Sequence, residues 1–228
     1  MMPRDPIRLR ALAPPESLKL RVLAATRWNP APERTDGGLR GPALVALAAV
    51  AMVAVLALAG GPFHAHAAGR PAASGAWIVA GTLALAVAAT WLSLPRRRSM
   101  LSPVRGQLLA VAIGAPVLFG SWLLLGHTTY DDPFVRAGFR CFALTAATAP
   151  WPFMALAYLG RRLDPRQPAL AGAALGATAG AWAAVMVELW CPLAAPDHVV
   201  VGHVLPLALL ALAGSAYGAW KFGLRRVR

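Results

Sequence analysis

The chain has 228 residues, 58% of them hydrophobic, and a net charge of +13, with a mean hydropathy of +0.57. This exceeds the apolar share of roughly half found in ordinary soluble domains, and it excludes a simple water-soluble fold. In a soluble domain such a charge would point to nucleic acid, but here the basic residues lie between apolar blocks, which turns the charge into a statement about membrane topology.

Residues 1–41 are predicted to form a cytoplasmic tail with one short helix between proline-rich flanks. Pro14-Pro15 suits a helix start, because proline's missing N–H costs nothing in the first turn. Glu16 then lies where the helix dipole favours an acid, with Lys19, Arg21 and Arg27 further along. Leu18, Val22 and Ala25 fall on one stripe with Leu20 and Leu23 beside it, and Asn29-Pro30-Ala31-Pro32 ends the helix. Three turns are marginal alone in water, so the stripe needs a surface. The bilayer face and a helix-accepting groove on a partner protein both supply one.

Six apolar blocks follow, at about 42–61, 75–94, 107–126, 139–159, 169–190 and 199–220. Each has the roughly 20 residues that cross a hydrocarbon core of about 30 Å. The predicted fold is therefore all-α, a six-helix transmembrane bundle over 42–220, with a basic cytoplasmic C-terminus at 221–228. The first block starts far behind the N-terminus, after a polar segment, and is expected to remain as an anchor. In the fifth block, Ala171–Gly180 sets small residues four apart on one face, a pattern that lets helix backbones approach closely.

Nineteen of the 22 Lys and Arg lie in the tail, the second and fourth connections and the C-terminus; only Arg70, Arg136 and Arg140 lie on the other side. The positive-inside rule then places both termini in the cytoplasm and connections one, three and five outside, with a bacterial inner membrane as the simplest host. Some of the charge also serves attraction to anionic membrane lipid.

Cys141 opens the fourth block and Cys191 follows the fifth, so both are predicted at the outer face and at similar depth. A disulfide between them suits an oxidising compartment. Glu188, His198 and His203 share that face, as do His64, His66, His127, Asp131, Asp132 and Asp197. Thiolate and imidazole together suit zinc or copper. The spacing from Cys191 to His198 and His203 matches no compact metal motif, however, and a loop must fold back to join them. Disulfide or buried thiols, a metal or haem-type set, and redox sensing all remain open on spacing alone; no metal or cofactor is assigned. Glu188, within a turn of the boundary, is expected to reach the outer interface and hydrogen-bond there.

No CxxC, HExxH or GxSxG motif is present, and no charged pair marks an ion path through the blocks. The chain is accordingly not expected to be an enzyme. The alternative is a small membrane enzyme or carrier with its site at the outer Cys/His/Glu group.

From about Arg140 to Trp220 the chain resembles the NrsF family, bacterial membrane proteins that act as negative regulators of sigma factors. The resemblance rests on Cys141, Ala149-Pro150-Trp151-Pro152 and the basic turn Arg161-Arg162-Leu163-Asp164-Pro165. It continues through Ala171–Gly180, then Trp190-Cys191-Pro192 with His198 and His203. The tail element Pro14–Leu18 with Arg21–Ala25 also looks like the N-terminal element of such regulators. The resemblance implies a membrane anti-sigma factor that holds an extracytoplasmic-function-type sigma factor at the membrane and makes no direct nucleic-acid contact. Leu18, Leu20, Arg21, Val22, Leu23, Arg27 and Trp28 would then bind the sigma factor. The tail holds neither Cys nor His, so this contact would be apolar and arginine-based rather than organised by zinc. A further likeness to regulators of light-induced carotenoid synthesis implies a photosensitised oxidant, such as singlet oxygen, acting on Cys141, Cys191, His198, His203, Trp190 or membrane Met residues.

Overall fold

The computed structural model describes Glu16, Leu20 and residues 40–61, 72–94, 104–125, 138–160, 167–191 and 195–223. The helices are α1 (Arg40–Leu58), α2 (Ala72–Ser93), α3 (Arg105–Leu125), α4 (Phe139–Thr148), α5 (Pro150–Leu159) and α6 (Pro168–Trp190). They continue with α7 (Pro196–Val199), a π-helical turn (Val200–Val204) and α8 (Leu205–Gly223). No strand occurs among the described residues. Among the described residues, six helical stretches are long and apolar enough to cross a membrane, and they fall on the six predicted blocks.

By compactness the chain divides into Met1–Arg40 and Gly41–Arg228. In the first unit Glu16 and Leu20 are helical and exposed. The remaining residues of the predicted docking stripe, Leu18, Arg21, Val22, Leu23, Arg27 and Trp28, lie outside the described residues.

In the second unit α6 is the hub. It packs against α2, α3, α4, α5 and α8, and 78% of its apolar window is buried. The other spans bury 22–39% of theirs and turn large apolar side chains such as Leu58, Ile113 and Leu212 outward. Outward-facing leucine suits lipid, where apolar surface has no reason to hide and only backbone hydrogen bonds must close internally.

The α6–α8 contact realises the predicted close approach. Gly172 and Gly176 of α6 face Gly214 and Gly218 of α8. A Cβ on Gly176 would lie 2.1 Å from the Leu210 carbonyl oxygen, and one on Gly214 would lie 2.3 Å from that of Gly172. Two small-xxx-small stripes thus interlock backbone to backbone.

Partly buried indoles tie the remaining helices. Trp182 Nε1 donates to Thr90 Oγ1 at 2.9 Å and joins α6 to α2. Trp122 Nε1 donates to the Ile78 carbonyl at 3.2 Å and joins α3 to α2. Trp190 Nε1 donates to the Ala59 carbonyl at 3.0 Å and holds the last turn of α6 to the end of α1.

Prolines divide two of the spans. The fourth predicted block is not one uninterrupted helix: it is parted at Ala149 into α4 and α5, where Pro150 and Pro152 supply no N–H to the preceding turn. The sixth opens into the π-helical turn just before Pro206. Proline at 206 has no N–H for the Gly202 carbonyl and its ring crowds that oxygen. The wider turn relieves this, with the Leu205 N–H bonding the Val200 carbonyl five residues back.

Candidate functional site

Cys141, Cys191, His198 and His203 meet at one end of the bundle. Cys141 lies in the first turn of α4, Cys191 caps α6, His198 belongs to α7 and His203 to the π-helical turn. One ligand atom from each of the four lies within 4.8 Å of those of the others. Exposure is 1% for Cys141, Cys191 and His203, 3% for His198 and 5% for Glu188, so the site is sealed.

His198 Nε2 sits between the two sulfurs, 3.3 Å from Cys141 Sγ and 3.2 Å from Cys191 Sγ. Both cysteines are thiols, with no disulfide between them. The Cys141 thiol beside it and burial push the Cys191 thiol up to about 12. It is therefore held neutral, and a buried neutral thiol is a poor nucleophile.

The π-helical turn decides where the second histidine points. Five residues along a regular α-helix advance 500°, which would set His198 and His203 about 140° apart around the axis. The i→i+5 turn brings them back to one face, with ring centroids 5.4 Å apart. His203 Nδ1 then lies 2.6 Å from Glu188 Oε1. Its Nε2 is buried and makes no close hydrogen bond among the described residues, with the Cys191 thiol near it.

Two glycines set the distance from α4 to the histidines. A Cβ on Gly138 would lie 2.5 Å from the Gly202 nitrogen, and one on Gly202 would lie 3.0 Å from the Cys141 Cβ. Close backbone contact between the α4 entry and the π-helical turn is what delivers Cys141 to His198. Gly202→Val should prise this contact apart. In maleimide labelling of the detergent-solubilised protein, the thiols should react slowly in the parent and severalfold faster in the variant.

The structure corrects the expectation for Glu188. It does not reach an interface; it is buried in the last turn of α6 and faces His203. The imidazole that stands against it offsets part of the cost of burying this polar side chain. Asp197 is exposed and separate from the cluster, while His64, His66, His127, Asp131 and Asp132 lie outside the described residues. Trp190 is partly buried against the apolar wall formed by Cys141, Leu144, Val187 and Cys191. Sequence reading missed Gly138, Gly202 and Pro206; the proline within a predicted span was the available signal for a distorted turn.

The family described as NrsF, negative regulator of sigma F, matches residues 23–222, which includes all six spans and the Cys/His cluster. The chain belongs to the NrsF family. Among curated proteins, it is 34% identical over 121 residues to one from Azospira oryzae (strain ATCC BAA-33 / DSM 13638 / PS), named "Probable anti-sigma-F factor NrsF". That match covers 48% of this chain and 56% of the relative, so it spans about half of each. No solved structure matches the chain. The family is thus one of regulators of a sigma factor, a regulatory rather than an enzymatic class.

Proposed function

We propose that this NrsF-family chain is a membrane-bound anti-sigma factor. Its tail captures a sigma factor of the extracytoplasmic-function type and keeps it from RNA polymerase. The bundle lies in a bacterial inner membrane with both termini cytoplasmic, as the distribution of Lys and Arg favours. The Cys/His end then faces outward. The family match over 23–222 carries the reading, because it takes in part of the tail as well as the bundle.

The mechanism divides between the tail and the bundle. Leu18, Leu20, Val22 and Leu23 supply the apolar stripe for docking, and Arg21, Arg27 and Trp28 supply anchors of the types that dominate interfaces. In the bundle, Cys141, Cys191, His198 and His203 form the element that receives the signal, because they link three spans at one point. Chemical change there shifts α4 against α6 and the π-helical turn and weakens docking. Singlet oxygen produced in the light is the signal implied by the resemblance, with carotenoid synthesis as the regulated output.

Co-purification tests the core of the proposal. The full-length protein in detergent should capture the sigma factor encoded beside it, whereas a chain lacking residues 1–38 should not. The signal is tested in a sigma-dependent reporter strain exposed to light and a photosensitiser. Cys141→Ser combined with Cys191→Ser should hold the reporter near its dark level. Unchanged induction would dismiss a cysteine-based sensor.

A further inference from the structure

We infer that Cys141, Cys191, His198 and His203 form a closed Cys2His2 site for one zinc ion, which ties the fourth, fifth and sixth spans together at one end of the bundle. The inference is independent of what the tail binds.

The ligand set is of the right kind and number. Two sulfurs and two imidazole nitrogens make up one of the common structural zinc sets, and four protein ligands leave no open position. The separations also fit. Zn–S bonds of about 2.3 Å and Zn–N bonds of about 2.05 Å give a tetrahedron with S···N edges of roughly 3.5 Å and an S···S edge of roughly 3.8 Å. Here the two S···Nε2 contacts to His198 are 3.3 and 3.2 Å, and all four ligand atoms fall within 4.8 Å. Shifts of well under 1 Å at the nearest contacts, and about an ångström at the longest, complete the polyhedron.

Glu188 supports the assignment independently. Ligating histidines commonly give their second ring N–H to a carboxylate, which fixes the tautomer and raises ligand basicity. Glu188 Oε1 stands 2.6 Å from His203 Nδ1, which leaves Nε2 as the ligating atom. That nitrogen is fully buried and makes no close hydrogen bond among the described residues, with the Cys191 thiol near it. A buried imidazole nitrogen with only a thiol near it is weakly satisfied, and a cation at this point would satisfy it fully.

Charge selects the ion. When Zn2+ binds, each thiol gives its proton to solvent, and two thiolates cancel the dication. The Zn(Cys)2(His)2 core is then neutral, which suits a site with 1–3% exposure at its ligands. Copper(I) on the same ligands would leave an uncompensated negative charge.

The test uses the full-length protein, reduced and chelator-treated in detergent, and then given Zn2+ or Co2+. One ion per chain should survive desalting. Co2+ should produce a thiolate-to-cobalt charge-transfer band and the intense visible bands of a tetrahedral site. Cys141→Ser with Cys191→Ser should lose the charge-transfer band, and His203→Ala should weaken retention. Glu188→Gln should keep the tetrahedral spectrum with affinity lowered 10–100-fold. This milder variant separates a ligand effect from a folding failure. A monodisperse parent that retains neither ion overturns the site. Retention of copper(I) without zinc overturns the zinc assignment, and a charge-transfer band that survives in the double cysteine variant overturns the ligand set. None of these readouts involves a sigma factor, so a failure here is distinguishable from a failure of the anti-sigma proposal.

Discussion

Leu18→Asp combined with Val22→Asp should abolish capture of the sigma factor by the full-length, detergent-solubilised protein. The two positions are four apart and share a helical face, so both enter one groove if the tail docks as a helix. Glu16 and Leu20 of this stretch are helical, and Leu20 is exposed. Apolar anchors at the centre of an interface often contribute about 2 kcal/mol or more each, and an aspartate there also brings an unpaired charge. Two such losses correspond to a drop of roughly a thousandfold in affinity, since each 1.4 kcal/mol is about a factor of ten. Lys19→Ala, on the polar side, should change capture little. Helicity of the isolated tail is not the right readout, because three turns need their partner surface. If the double aspartate variant still captures the sigma factor at parent levels, the docking helix is wrong, even if residues 1–38 prove necessary.

The second large effect belongs to the α6–α8 seam. Gly176→Val should leave little folded protein in the membrane, and Gly214→Val should do the same. Even the Cβ at 176 would lie 2.1 Å from the Leu210 carbonyl oxygen, and 2.9 Å from its carbon. The obstacle is backbone inside a helix, so it cannot swing aside as a side chain would. The helices must separate, and α6 is the element on which α2, α3, α4, α5 and α8 all pack. Overpacking of this kind costs about 1–3 kcal/mol where a core can yield, and more where it cannot. Gly114→Ala is the matched control. Nothing lies within 4 Å of a Cβ there, and Gly114 is inside α3. Alanine should stabilise that helix by roughly 0.5–1 kcal/mol. Thermal unfolding in detergent should order the variants as Gly114→Ala at or above the parent, with both valine variants far below. Equal melting of parent and Gly176→Val would refute the interlocked seam.

Sequence by itself determined the number of spans, the helical class and the small-residue face of α6. Each follows from local composition: bilayer thickness sets a length of about 20 apolar residues, and glycines four apart mark a face whatever it meets. The same reading placed Cys141 and Cys191 at one end, because a span's two ends alternate sides. It could not decide whether the thiols, His198 and His203 touch. That depends on a π-helical turn that brings one histidine round to the other, and on the contact between Gly138 and Gly202. Glu188 shows the same limit. Its position near the end of a span suggested solvent, but end-on position says nothing of which neighbour covers the face. Only the packed structure sets His203 against it and seals both. Periodicity along a chain reports which residues share a face; the chemistry of this site depends on distances between four separate elements, which tertiary packing alone decides.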